Sequence, residues 1–152
     1  MIRAIHHTAI STPDLERALG FYRDLLGFRE VTGFAWGRGT ETIDRITGLE
    51  NSAAKVALLR LDNAFIELFE FEAPEAMRSD PRRPVCDHGI THLCLEVTDI
   101  DAEYERLSAA GMTFHTEPVS AGHGAKATYG RDPDGNVVEL LEVLGDGNNM
   151  SL

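Results

Sequence analysis

The chain has 152 residues, 43% apolar and 26% charged, which is the usage of one ordinary globular domain or of two small modules sharing a core. No apolar run reaches the ~20 residues of a bilayer-spanning helix, and the first residues lack the apolar stretch of a secretion signal, so the cytoplasm is the expected location and a membrane is not. The formal net charge of −11, with lysine only at positions 55 and 126, argues against nucleic acid and anionic lipid as partners, because phosphate recognition needs a basic face.

A strand is expected at His7, followed by a helix over 13–26. Thr12 can cap that helix, Pro13 suits its first position, and Gly27 ends it; Leu15, Ala18, Leu19, Tyr22, Leu25 and Leu26 fall on one stripe. A short strand follows over 29–33, then an insertion over 34–52 in which Ile43, Ile46 and Leu49 have helical spacing. Phe34 and Trp36 in this insertion either pack it down or stack on a ligand. Strands over 54–61 and 64–72 form a hairpin around Asp62-Asn63. The segment 74–88, with prolines at 74, 81 and 84, reads as a linker.

A second strand–helix unit begins at His92, with a helix over 100–110 capped by Thr98 or Asp99 and stopped by Gly111. Strands are expected over 112–117, 125–130 and 136–143, the last two joined by the turn Asp132-Pro133-Asp134-Gly135. Residues 145–152 form an expected flexible tail. Two cysteines make no disulfide framework; Cys94 reads as a core residue of its strand and Cys86 as an exposed thiol.

The two halves repeat one pattern. His7 precedes Asp14 by seven residues, His92 precedes Asp99 by seven, and both are followed by a helix ending on glycine. Phe65-Ile66-Glu67-Leu68-Phe69 aligns with Val137-Val138-Glu139-Leu140-Leu141. A period of about 80 residues reads as a duplicated module rather than a solenoid unit. Strand alternation puts Glu67 on the face of Phe65, Phe69 and Phe71, and Glu139 on that of Val137, Leu141 and Val143. A carboxylate on an apolar face costs several kcal/mol unless compensated. Two cases at equivalent positions ask for a shared cause, and a cation held with His7 and His92 supplies one. His6 has the opposite parity to His7 and is expected to point away. Glu70 and Glu142 have the opposite parity to Glu67 and Glu139 and read as strand-end charges meeting solvent.

With these motifs the chain resembles the vicinal oxygen chelate superfamily, which includes glyoxalase I, methylmalonyl-CoA epimerase, extradiol dioxygenases and bleomycin-binding proteins. The carriers are His7 with Asp14-Leu15-Glu16-Arg17-Ala18 and Phe21-Tyr22-Arg23-Asp24-Leu25-Leu26-Gly27, then Ile66-Glu67-Leu68, His92 with Val97-Thr98-Asp99-Ile100, and Asp132-Pro133-Asp134-Gly135-Asn136-Val137-Val138-Glu139-Leu140. Glyoxalase I and methylmalonyl-CoA epimerase are nearest in look. The resemblance implies an α+β fold: two tandem βαβββ modules, 1–73 and 89–144 of a single domain over 1–144, forming an open cup-shaped, eight-stranded mixed sheet. It implies that His7, Glu67, His92 and Glu139 hold one divalent ion (Zn, Ni, Co, Mn or Fe), with Glu67 or Glu139 as the base and His123 and Tyr129 as further candidates at the site. A metal-dependent lyase or isomerase acting on a small-molecule substrate by proton transfer is the expected activity, in a homodimer. An Fe(II) extradiol-type dioxygenase using His7, His92 and Glu139, and a non-catalytic small-molecule binding or antibiotic-resistance protein, are the competing readings.

Overall fold

The computed structural model describes residues 1–145, and the tail expected beyond Gly145 lies outside them. The chain divides into two compact units, Met1–Arg78 and the residues from Ser79 onward. The first contains β1 (His7–Ser11), α1 (Leu15–Leu19), β2 (Arg29–Trp36), α2 (Glu41–Thr47), β3 (Ala53–Leu61) and β4 (Ala64–Ala73). Its sheet runs β1-β4-β3-β2, with β1 parallel to β4 and the other pairs antiparallel. The second contains β5 (His92–Glu96), α3 (Ile100–Ala109), β6 (Thr113–Phe114), β7 (Val119–Gly122), β8 (Ala125–Arg131) and β9 (Val137–Val143). Its sheet runs β5-β9-β8-β6, with β7 also on β8, and again the first pair alone is parallel. Each unit is a βαβββ module of the expected α+β class. There are nine described strands rather than eight: the strand expected over 112–117 is reduced to β6, and β7 forms at 119–122, where no strand was expected. Pro118 between them has no N–H to give a ladder.

The helices bury one face of each sheet. Leu15, Ala18, Leu19 and Tyr22 from the first helical segment are buried with Ala57, Leu59, Ile66 and Leu68 from β3 and β4. In the second unit Ile100 and Leu107 are buried with Val138 and Leu140. The first helical segment departs from its expected course. Asp14, not Thr12, accepts from the N–H of Arg17, while the Thr12 hydroxyl accepts from the N–H of Asp14. From Gly20 to Leu25 the segment continues as a π-helix.

Glu70 and Glu142 do not meet solvent as free charges. Glu70 accepts from the N–H of Leu15 at 2.8 Å, and Glu142 from the N–H groups of Asp99 and Ile100 at 2.7 and 3.4 Å. Each carboxylate reaches from the last strand of its module to the first turn of its helix, where backbone donors are unpaired and the helix dipole favours negative charge. Replacing Glu142 with Ala is expected to lower stability by about 1–2 kcal/mol, as the loss of a helix cap does. Urea denaturation reads this, and Glu142→Gln, which keeps an acceptor, is expected to lose less.

The first-module insertion is shorter than expected, since β2 continues to Trp36 and β3 begins at Ala53. What remains is α2 and its flanks. Asp44 on α2 accepts from the N–H groups of Asn51 and Ser52 and from the Ser52 hydroxyl, and these bonds hold its carboxyl below the usual carboxylate range. Trp36 donates its indole N–H to the same buried Ser52 at 2.9 Å, and its ring meets Phe34, Phe69 and Phe71. Phe34 and Trp36 are therefore strand residues of an aromatic wall, with Trp36 tied to the end of the insertion. In the second module, Asp132 closes its turn by accepting from the backbone N–H of Asp134 and of Asn136. Arg131 reaches from this turn region to the carbonyls of Gly135 and Arg83, which ties part of segment 74–88 to the second unit.

Candidate functional site

In each module the face turned away from the helix carries the residues of interest. Registered neighbours on paired strands point to the same side. His7 is opposite Phe65 and Ala9 opposite Glu67, so His7 and Glu67 share the open face of the first sheet. His92 is opposite Val137 and Cys94 opposite Glu139, so His92 and Glu139 share that of the second. The side chains meet within each module. His7 Nε2 lies 3.4 Å from Glu67 Oε2, and His92 Nε2 lies 3.0 Å from Glu139 Oε2. The carboxylate side chains are 17% and 16% exposed, held in the sheet surface yet reachable.

The other ring nitrogens are also occupied. His7 Nδ1 is 2.8 Å from His6 Nδ1, and His92 Nδ1 is 2.8 Å from the Thr91 hydroxyl. An imidazole anchored through Nδ1 presents Nε2 in a fixed direction, as histidines that ligate metals do. His6 therefore corrects the parity argument. It precedes β1, so strand alternation does not govern it; its ring stacks on Phe65 at 5.1 Å and touches His7. The preceding residue thus anchors the histidine in both modules. This feature is legible only as the pairs His6-His7 and Thr91-His92, and its meaning requires the structure.

Imidazole nitrogen and carboxylate oxygen form a donor set suited to borderline divalent cations. Each pair fits such an ion in its chemistry. Among the described residues, no group of three or more His, Cys, Asp or Glu side chains stands close enough together to hold a metal. What the structure places together is a pair in each module.

Two further residues adjoin the second pair. Tyr129 on β8 is opposite Glu139, and its ring centroid is 5.0 Å from that of His92. Partial burial, then the Glu139 charge, raises its phenol above the usual value. Cys94, expected in the core, is exposed on the same face. Partial burial of its thiol, the Glu139 charge and a hydrogen bond to Glu139 push it up to about 12. The thiolate is the reactive form. Alkylation of Cys94 by iodoacetamide at pH 8 is therefore expected to be slow despite exposure and to quicken as pH rises toward 12. Glu139→Gln removes a cause of the upward shift and is expected to accelerate it; peptide mass spectrometry reads the rate. His123 lies elsewhere. It is exposed in the turn joining β7 and β8 with φ 50°, six residues or ~20 Å of extended chain from Tyr129.

Comparison with known proteins adds to this geometry. Residues 4–140 match the profile described as the Glyoxalase/Bleomycin resistance protein/Dioxygenase superfamily. An ethylmalonyl-CoA/methylmalonyl-CoA epimerase from Cereibacter sphaeroides is 33% identical over 149 residues, covering 94% of this chain and all of that protein. A 2-epi-5-epi-valiolone epimerase from Actinomyces is 31% identical over 147 residues, covering 92% of this chain and 79% of that protein. Among solved structures, a glyoxalase family protein from Bacillus cereus superposes with a TM-score of 0.86 at 24% identity, covering 95% of this chain and 97% of that one.

Proposed function

The chain belongs to the glyoxalase/bleomycin resistance protein/dioxygenase superfamily, and from that premise we propose that it is a metal-dependent isomerase or lyase that moves a proton at a carbon beside a polarised oxygen. The observation that supports this most is the matched pair of contacts, His7 Nε2 to Glu67 and His92 Nε2 to Glu139, each with Nδ1 anchored from the preceding residue. His7, Glu67, His92 and Glu139 would hold one divalent ion, which when bound polarises the substrate oxygen and stabilises the charge that develops on it as the neighbouring C–H ionises.

The chain's own residues supply the proton transfer. A carboxylate is the base, and Glu67 and Glu139 are its candidates because both are partly exposed on the open face. Epimerisation needs a proton removed from one face of a carbon and returned to the other. Two carboxylates, one from each module, suit those two roles. The relatives that act as epimerases favour this over a lyase reaction and point to acyl-thioesters and small oxo compounds as substrates. Tyr129, with its raised pKa, stays protonated at neutral pH and is able to donate a hydrogen bond beside Glu139. His123 receives no role in this step. A homodimer belongs to the same proposal. Among the described residues no helix is long and apolar enough to cross a membrane.

Solvent exchange tests the reading. Metal-loaded protein in D2O is expected to introduce deuterium at the acidic carbon of methylmalonyl-CoA, or of 2-epi-5-epi-valiolone, as read by NMR. Oxygen consumption with a catechol would overturn it in favour of ring cleavage. Absence of exchange across acyl-thioesters, hemithioacetals and vicinal oxo compounds would also overturn it.

A further inference from the structure

One cross-strand row on the open face of the first sheet has a composition at odds with the rest of the molecule. Four strands contribute one residue each in direct register: His7 of β1, Phe65 of β4, Arg60 of β3 and Arg29 of β2. Two of these are arginines, in a chain with 25 acidic and 14 basic residues. The two arginines are directly opposite each other on an antiparallel pair, and like charges in that position are destabilising.

Several other strand and helix cations are neutralised by carboxylates. Arg23 pairs with Asp24 and Glu30, Lys55 with Glu70 and Glu72, Arg106 with Glu103, and Lys126 with Asp101. Arg29 and Arg60 have no carboxylate within ion-pair distance among the described residues. Arg60 is nevertheless held in place. Its guanidinium lies over the Phe65 ring at 5.4 Å, and its Nε donates to the Asp62 carbonyl at 3.2 Å. Both arginines are exposed, so their remaining donors face whatever occupies that side of the sheet.

The position of the row gives the pair its meaning. Phe65 is two residues from Glu67 on β4, so Arg60 is the diagonal neighbour of Glu67, roughly 7–8 Å away. A β-bulge between Glu30 and Thr32 keeps Arg29 on the same face as Thr32, Phe34 and Trp36. We propose that Arg29 and Arg60 form a subsite for an anionic group of the substrate, a carboxylate or a phosphate, a few bonds from the carbon that reacts beside Glu67. The proposal rests on the proton-transfer reading for the identity of that molecule. Two forked guanidiniums suit a planar carboxylate or a phosphate. Occupation also removes the repulsion between them.

The test uses full-length protein freed of metal with a chelator and then dialysed. Succinate and inorganic phosphate are titrated separately at constant ionic strength, while the arginine Nε–Hε resonances are followed by NMR. Saturable shifts at Arg29 and Arg60 are expected with at least one anion, and which anion does so distinguishes a carboxylate from a phosphate source. Arg60→Ala is expected to weaken binding about tenfold, the loss of a charge-assisted hydrogen-bond pair. Arg60→Lys, which keeps the charge but loses the fork, is expected to weaken it less, and Arg29→Ala should parallel Arg60→Ala. Absence of saturable shifts with both anions, or equal affinity in the alanine variants, would overturn the subsite. Divalent-ion titration of wild type and Arg60→Ala is read separately. Failure of metal binding in wild type would count against the proton-transfer reading, whereas a metal-binding protein without anion shifts would count against the subsite alone.

Discussion

Glu139→Gln is expected to lower kcat by about 10²–10⁴-fold, the range lost when a positioned general acid or base is removed. The substitution keeps size and hydrogen-bonding shape but removes the basic oxygen. Its structural cost is expected to be small, because Glu139 points to the open face beside His92 and Cys94, while the buried neighbours Val138 and Leu140 point to the helix side. A melting temperature within a few degrees of wild type, together with the loss of turnover, separates chemistry from unfolding. Glu67→Gln is expected to behave likewise if the two carboxylates act as a base–acid couple. Unchanged turnover in both variants would remove the carboxylates from the mechanism.

The opposite face is expected to respond in the opposite way. Leu68→Ala should cost about 2–5 kcal/mol, since the side chain is fully buried on β4, next to the residues that carry the open face, and a cavity would remain. Phe34→Ala, at a ring 48% exposed on the open face, should cost much less. Chemical denaturation measures both. A single strand thus carries catalytic candidates and core at alternate positions: Glu67 and Phe69 outward, Ile66 and Leu68 inward.

That alternation is why so much of the candidate site is legible in the sequence. The period of two identifies the face of Glu67 and Glu139, and the repeat selects His7 and His92 as their partners. The capped helices, the hairpin at Asp62-Asn63 and the Asp132–Gly135 turn are local features with local signals, and each stands where those signals put it, apart from the Asp14 cap and the π-helical continuation at Gly20–Leu25.

Other features depend on contacts distant in sequence. Glu70 and Glu142 cap helices 55 and 43 residues away, so strand parity alone left them facing solvent. His6 escaped the parity argument because β1 begins one residue after it. Cys94 sits in an apolar run, and only the pairing of β5 with β9 shows that its alternation places it beside Glu139 on the open face. The cationic row of Arg29 and Arg60 has no sequence signature, since the two residues are 31 positions apart and meet only through the register of β2 and β3.

In the proposed function, two half-sites, one from each module, serve a single ion. Metal titration of the full chain, with stoichiometry read by native mass spectrometry and elemental analysis, tests it most directly. One divalent ion per chain is expected, lost in His7→Ala and equally in His92→Ala, with the fold of both variants intact by circular dichroism. No bound ion after reconstitution, or two ions bound independently and each lost in only one of the variants, would contradict it.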